Sequence, residues 1–171
     1  MFAKKTNKAL TLAMAALAGG VLSGTALAAN PDTTQMTVRA TVPGACRIQN
    51  ATTLDFGSVD NSNGLDTDGT ATVEWRCTRN TSATITIDEG ASGSREMTSP
   101  STSTPLPYGL FQDPGRTLPW NTTDGISVTG AGMGAGNAQP VTVFGRVPAS
   151  GAEAADPASD YTDTVTISIA W

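Results

Sequence analysis

From Tyr161 to Trp171 the chain alternates. Tyr161, Val165, Ile167, Ile169 and Trp171 occupy odd positions, with Asp163 the one polar exception. Thr162, Thr164, Thr166, Ser168 and Ala170 occupy the even ones. Period two over this length predicts a strand with one buried face and one wet face. Thr70–Cys77 repeats the pattern through Ala71, Val73, Trp75 and Cys77. Ala83, Ile85 and Ile87 continue it, and Val141, Val143 and Val147 mark another strand with Phe144 pointing the opposite way. Shorter candidates are Leu54–Val59 and Tyr108–Gln112. Asn63-Gly64, Asp68-Gly69 and Asp124-Gly125 predict turns, because both residue types accept positive φ. Ser92–Pro105 and Ala149–Asp160 read as polar loops, and glycine-rich Gly130–Gly136 as a flexible connection. Beyond residue 28 no long stretch has helical period, so the expectation is all-β, with short strands in two packed sheets.

The first 28 residues follow a different rule. Lys4, Lys5 and Lys8 precede an apolar run from Ala9 to Leu22, and Ala26-Leu27-Ala28 offers small residues where a signal peptidase reads. This is the layout of a secretory signal, with cleavage expected between Ala28 and Ala29. The run is short for a membrane span and lacks a positive stop-transfer cluster. Cleavage would remove every lysine and leave 143 of the 171 residues, with seven arginines against fifteen carboxylates and a net charge of −8. An acidic chain without a basic cluster disfavours nucleic acid and anionic lipid as partners. No second apolar stretch suggests membrane insertion after cleavage. In an exported chain Cys46 and Cys77 are expected to form a disulfide.

Catalytic chemistry is thinly represented. The chain has no histidine, and the part after the signal has no lysine. Neither a G-x-S-x-G elbow nor a phosphate-binding G-x-x-x-x-G-K loop is present. Asp88, Glu89, Glu74 and Glu96 could supply a carboxylate pair for hydrolysis, but acids at strand ends are commonplace. Asp60–Asp68 carries several acids whose spacing does not fit a calcium loop, so an acidic hairpin is the better reading. No catalytic residue, cofactor or metal is expected.

The two ends carry more. The sequence closes on its best strand, which predicts an uncovered edge, and such an edge invites pairing. Ahead of Cys46, Met36, Val38, Ala40 and Val42 alternate with Thr37, Arg39 and Thr41. This segment could add to the open edge of another copy by β-strand addition, which builds a filament because it does not close. It could equally be the domain's own first strand, since both uses require the same alternation.

Several motifs, in order, resemble the spore coat protein U domain family, whose members include subunits of archaic, Csu-type chaperone–usher pili. They are Val42-Pro43-Gly44-Ala45-Cys46, Leu54-Asp55-Phe56-Gly57-Ser58-Val59, Cys77, Tyr108-Gly109-Leu110-Phe111-Gln112-Asp113, Leu118-Pro119-Trp120, the Val141–Val147 run and Asp160–Val165 with the strand that follows. The resemblance implies an incomplete immunoglobulin-like β-sandwich lacking its final strand, with Cys46–Cys77 as the family disulfide. It divides the chain into a signal (1–28), an N-terminal donor extension (29–42) and a sandwich domain (43–171). A periplasmic chaperone would donate a strand beside Val165, Ile167, Ile169 and Trp171. An outer-membrane usher would exchange it for Met36, Val38, Ala40 and Val42 of the next copy or a sibling subunit. The implied function is a structural pilus subunit at the cell surface serving adhesion or biofilm formation. The alternatives are a monomeric secreted coat or binding domain completed by its own N-terminal strand and, more remotely, a hydrolase.

Overall fold

A computed structural model describes residues 31–60 and 62–171. The expected signal and its cleavage point at Ala28–Ala29 lie outside the described residues. Residues 31–40 form no regular secondary structure and are exposed. Thr41–Trp171 is a compact unit.

In that unit the elements are β1 (Cys46–Ala51), β2 (Thr67–Cys77), β3 (Ser82–Ile87), β4 (Glu96–Met97), β5 (Leu106–Pro107), β6 (Gly109–Phe111), β7 (Ile126–Thr129), β8 (Gln139–Val147), α1 (Ala149–Ala154) and β9 (Ile167–Ala170). One sheet has the order β1-β2-β8-β6 and the other β7-β3-β9, and β4 and β5 form a separate ribbon. All pairings are antiparallel.

The alternation sets which face turns inward. Val73, Trp75, Cys77, Ile85, Ile87 and Val143 are buried in one shared core, joined by Leu110 and Trp120. Fully burying an aliphatic side chain contributes about 1.5–3 kcal/mol, so these strands hold the two sheets face to face. Trp120 donates its indole N–H to the Ile85 carbonyl at 2.9 Å, which satisfies its one polar group inside that core. Cys46 and Cys77 are directly opposed in the β1–β2 ladder and form the expected disulfide.

Five expectations need correction. Ser92–Pro105 is not wholly loop, because Glu96–Met97 forms β4 and pairs with β5. Asp68-Gly69 is not a turn but lies inside β2, where Asp68 faces Arg146 and Gly69 faces Gly145. Leu54–Val59 is not a strand. Its Leu54 and Phe56 side chains instead lie over Gly69 and Gly145. The final strand is shorter than its alternation, because ladder pairing with β3 stops at Ile87–Ile167. Ala149–Asp160 is not wholly loop, since Ala149–Ala154 forms the short helix α1 directly after the extended Pro148. Asn63-Gly64 does take up the positive φ expected of it, at 65° for Gly64.

Candidate functional site

β9 is an edge strand, and its hydrogen-bond phase can be derived. Asp88 N–H donates to the Thr166 carbonyl at 3.0 Å, and Thr166 N–H donates to Asp88 Oδ1 at 2.8 Å. Thr162 and Thr98 exchange backbone bonds in the same sense. Even residues therefore turn their main-chain groups toward β3 and the neighbouring ribbon. Antiparallel alternation leaves Val165, Ile167 and Ile169 with N–H and C=O directed at the open edge. Their side chains point into the sandwich yet are only half-buried. Among the described residues, the predicted edge residues thus combine main chain turned to the open edge with apolar side chains that are only half covered. Trp171 differs. It is 62% exposed, and its indole N–H donates to the Gly44 carbonyl at 3.1 Å.

Beside this edge lies a cavity of about 510 Å³. One wall is 161–167, the opposite wall is Ala51–Phe56, which continues β1, and the floor includes Val73, Ile87, Leu110 and Val143. A second cavity of about 500 Å³ shares Leu54, Phe56, Met97 and Tyr161 with it and extends toward Ala152 of α1. An interior normally packs to crystal-like density, so a trough of this size between two sheet edges sets this part of the sandwich apart from the packed core.

The end of the groove is fixed by polar contacts. Tyr108 donates to Asp163, whose other oxygen accepts from Ala91 N–H at 2.9 Å. Burial, then the Asp163 hydrogen bond, pushes the Tyr108 hydroxyl well above its ordinary pKa, so it stays a donor. Arg95, buried and at φ 56°, lies 6.0 Å from the Tyr108 ring centroid. Its guanidinium donates to the Trp120 carbonyl at 2.9 Å and pairs with Glu89 at 3.1 Å. Nothing in the local sequence marks Arg95 as buried. Its neighbours Ser92–Pro105 read as loop, and only the fold brings Trp120 and Tyr108 to it.

The other candidate residues are placed as follows. Met36, Val38 and Val42 are 83%, 80% and 79% exposed, Ala40 is exposed, and none of the four belongs to a strand. Asp88 is held below the usual carboxylate value, first by the Thr166 backbone N–H. Glu89 pairs with Arg95, Glu96 accepts from the Ser94 hydroxyl, and Glu74 lies on the outer face of β2. None of these four carboxylates lines the groove. Asp60 accepts from Ser62 and Asn63 in a local turn.

The profile of the Spore Coat Protein U domain matches residues 32–168. The chain belongs to the spore coat protein U domain family. It is 33% identical over 156 residues to Protein U of Myxococcus xanthus, covering 81% of this chain and 84% of that one. Among solved structures it matches a chain of the chaperone–tip adhesion subunit pre-assembly complex from the archaic chaperone–usher Csu pili of Acinetobacter baumannii. That match has TM-score 0.54 and 23% identity, over 77% of this chain. The present chain spans 40% of that chain's length. The likeness places this spore coat protein U domain among immunoglobulin-like β-sandwiches.

Proposed function

We propose that this protein is a structural subunit of a surface pilus, assembled by donor-strand complementation on the chaperone–usher pathway and serving adhesion or biofilm formation. The observation that carries the reading is the β9 edge. Val165, Ile167 and Ile169 offer main-chain hydrogen bonds above an unfilled apolar trough. Met36–Val42 supplies the complementary alternation and belongs to no strand. An antiparallel segment on this edge pairs its own inward residues with these odd residues, so apolar faces apolar throughout. Burying Met36, Val38 and Val42 contributes on the order of 5–8 kcal/mol. Membership of the family and the pilus-type sandwich support the same reading. A periplasmic chaperone strand would hold the edge first, and an usher would exchange it for the segment of the next subunit on the way to the cell surface.

The test is to express the mature chain with and without Ala29–Thr41 and to measure oligomeric state and thermal stability. The full chain should form filaments or an unstable monomer. The shortened chain should stay monomeric and gain stability from an added peptide of the missing sequence. A stable full-length monomer with Met36–Val42 folded into its own sheet would overturn the proposal in favour of a self-completed coat or binding domain.

A further inference from the structure

Charge is distributed unevenly along the Thr41–Trp171 body. β2 runs from Thr67 to the disulfide, and only Thr78–Thr81 separates its end from β3, so Cys77 and Ser82 lie at one end. Arg47 and Arg76 stand directly opposite each other there, one row from Cys46–Cys77, and Arg79 follows in the turn. Like charges directly opposed in a ladder are destabilising. Among the described residues none of these three forms an ion pair, whereas Arg95, Arg116 and Arg146 all do. Arg76 Nε is also buried without a partner.

The other end is acidic. Asp66 accepts from Ala149 N–H where β8 gives way to α1, and Asp68 faces Arg146 in the ladder. Exposed Glu153 sits in α1, and Asp156 and Asp160 in the segment after it. The arginines at this end are already paired with carboxylates, so the excess charge is negative.

We propose that the arginine-bearing disulfide end of one copy seats against the carboxylate-rich end of the next, and that this polarity fixes the direction of strand addition. The inference rests on the proposed exchange of the N-terminal segment. β9 runs from the acidic end toward the disulfide end. A segment added antiparallel to it therefore finishes, at Val42, beside the acidic end. Only Pro43–Ala45 separate Val42 from Cys46, a reach of about 14 Å. The disulfide end of the donating copy must then lie against the acidic end of the acceptor. Parallel addition would instead bring two arginine-bearing ends together. Opposite charge steers the first approach and lowers the barrier to correct encounter, whereas like charge disfavours the reverse one.

The test follows filament growth of the full mature chain by light scattering. Growth should slow by about tenfold in Arg47→Glu/Arg79→Glu, and wild-type growth should slow as salt rises from about 0.02 to about 0.5 M. Adding Glu153→Arg to the double variant should restore part of the rate, and unchanged denaturation midpoints would show that folding is intact. Direction is read from nitroxides at position 42 of one copy and 164 or 170 of another. The distance to 164 should be the short one, the two sites being about 20 Å apart along the strand. A short distance to 170, or growth indifferent to both charge and salt, overturns the inference. In the latter case, failure of the chain lacking Ala29–Thr41 to grow would show that strand exchange itself still holds. Growth without that segment would overturn both.

Discussion

Gly69 stands directly opposite Gly145 in the β2–β8 ladder, and the methyl groups of Leu54 lie against the space their β-carbons would occupy. A Cβ on Gly145 would come within 2.8 Å of Leu54 and 2.9 Å of Phe56. The pair opens a trough in the inner face of the sheet, and the segment after β1 crosses the sheet there to form one wall of the groove. Gly145→Ala should therefore destabilise the domain by about 1–3 kcal/mol through overpacking. Leu54→Ala in the same chain should recover part of that loss, because it removes the side chain that is struck. Urea denaturation of the two variants checks this, and simple additivity of the two losses would refute the contact.

The same pair shows why the sequence misled at one point. Asp-Gly is a strong turn signal when read locally. Here the β2–β8 register pairs Asp68 with Arg146 and gives Gly69 a packing role. The long alternations in β2, β3, β8 and β9 could be read directly, because each pays its residues inward at period two. The two-residue strands β4 and β5, by contrast, are held by a ribbon pairing that leaves no periodic trace. The strand Cys46–Ala51 is not legible in the sequence, which marks only its cysteine, since its alternation fades after Ile48. Of the groove, the edge side chains were visible in sequence. Its walls at Ala51–Phe56 and its Tyr108–Asp163 end were not, because they come together across the fold.

The disulfide offers a second measurement. It closes a loop of 31 residues, for which chain entropy gives about 3–4 kcal/mol. Cys46→Ala/Cys77→Ala should lose stability of that order in denaturant titrations. It should also weaken pairing at the β1 edge, since the bond ties β1 to β2 beside the uncovered side of the sandwich. A loss well below 1 kcal/mol would mean that the ladder alone holds β1 in place.

Acid should loosen the attachment of the 160–166 segment. Asp88 is held low mainly by Thr166 N–H, and Asp160 by the Ser99 and then the Ser101 hydroxyl. A carboxyl group with a depressed folded pKa contributes stability that is present above its unfolded value, near 3.8. That contribution is lost as pH falls through the lower folded value. Denaturation midpoints should hold between about pH 7 and 5 and fall steeply below about pH 4. Asp88→Asn should be less stable at neutral pH and show a shallower acid fall. A variant with the wild-type acid slope would remove Asp88 from this role.

Assembly can be separated from chaperone binding by placing one charge on each side of the proposed joint. Val38→Asp puts a carboxylate at an inward position of the N-terminal segment. Inserting it into the trough between Val73, Ile87 and Val143 would desolvate the charge without a partner. Filament growth should stop, while a chaperone strand on β9 remains bound, because it uses the other surface. Ile167→Asp places the charge on the edge strand itself and should abolish both. Mixing the two variants should then yield dimers that do not extend, with the intact segment of the Ile167→Asp copy seated in the intact groove of the Val38→Asp copy. Analytical ultracentrifugation would distinguish these dimers from monomers. Loss of chaperone binding in Val38→Asp, or growth of long filaments from the mixture, would show that Met36–Val42 is not the segment that fills the groove.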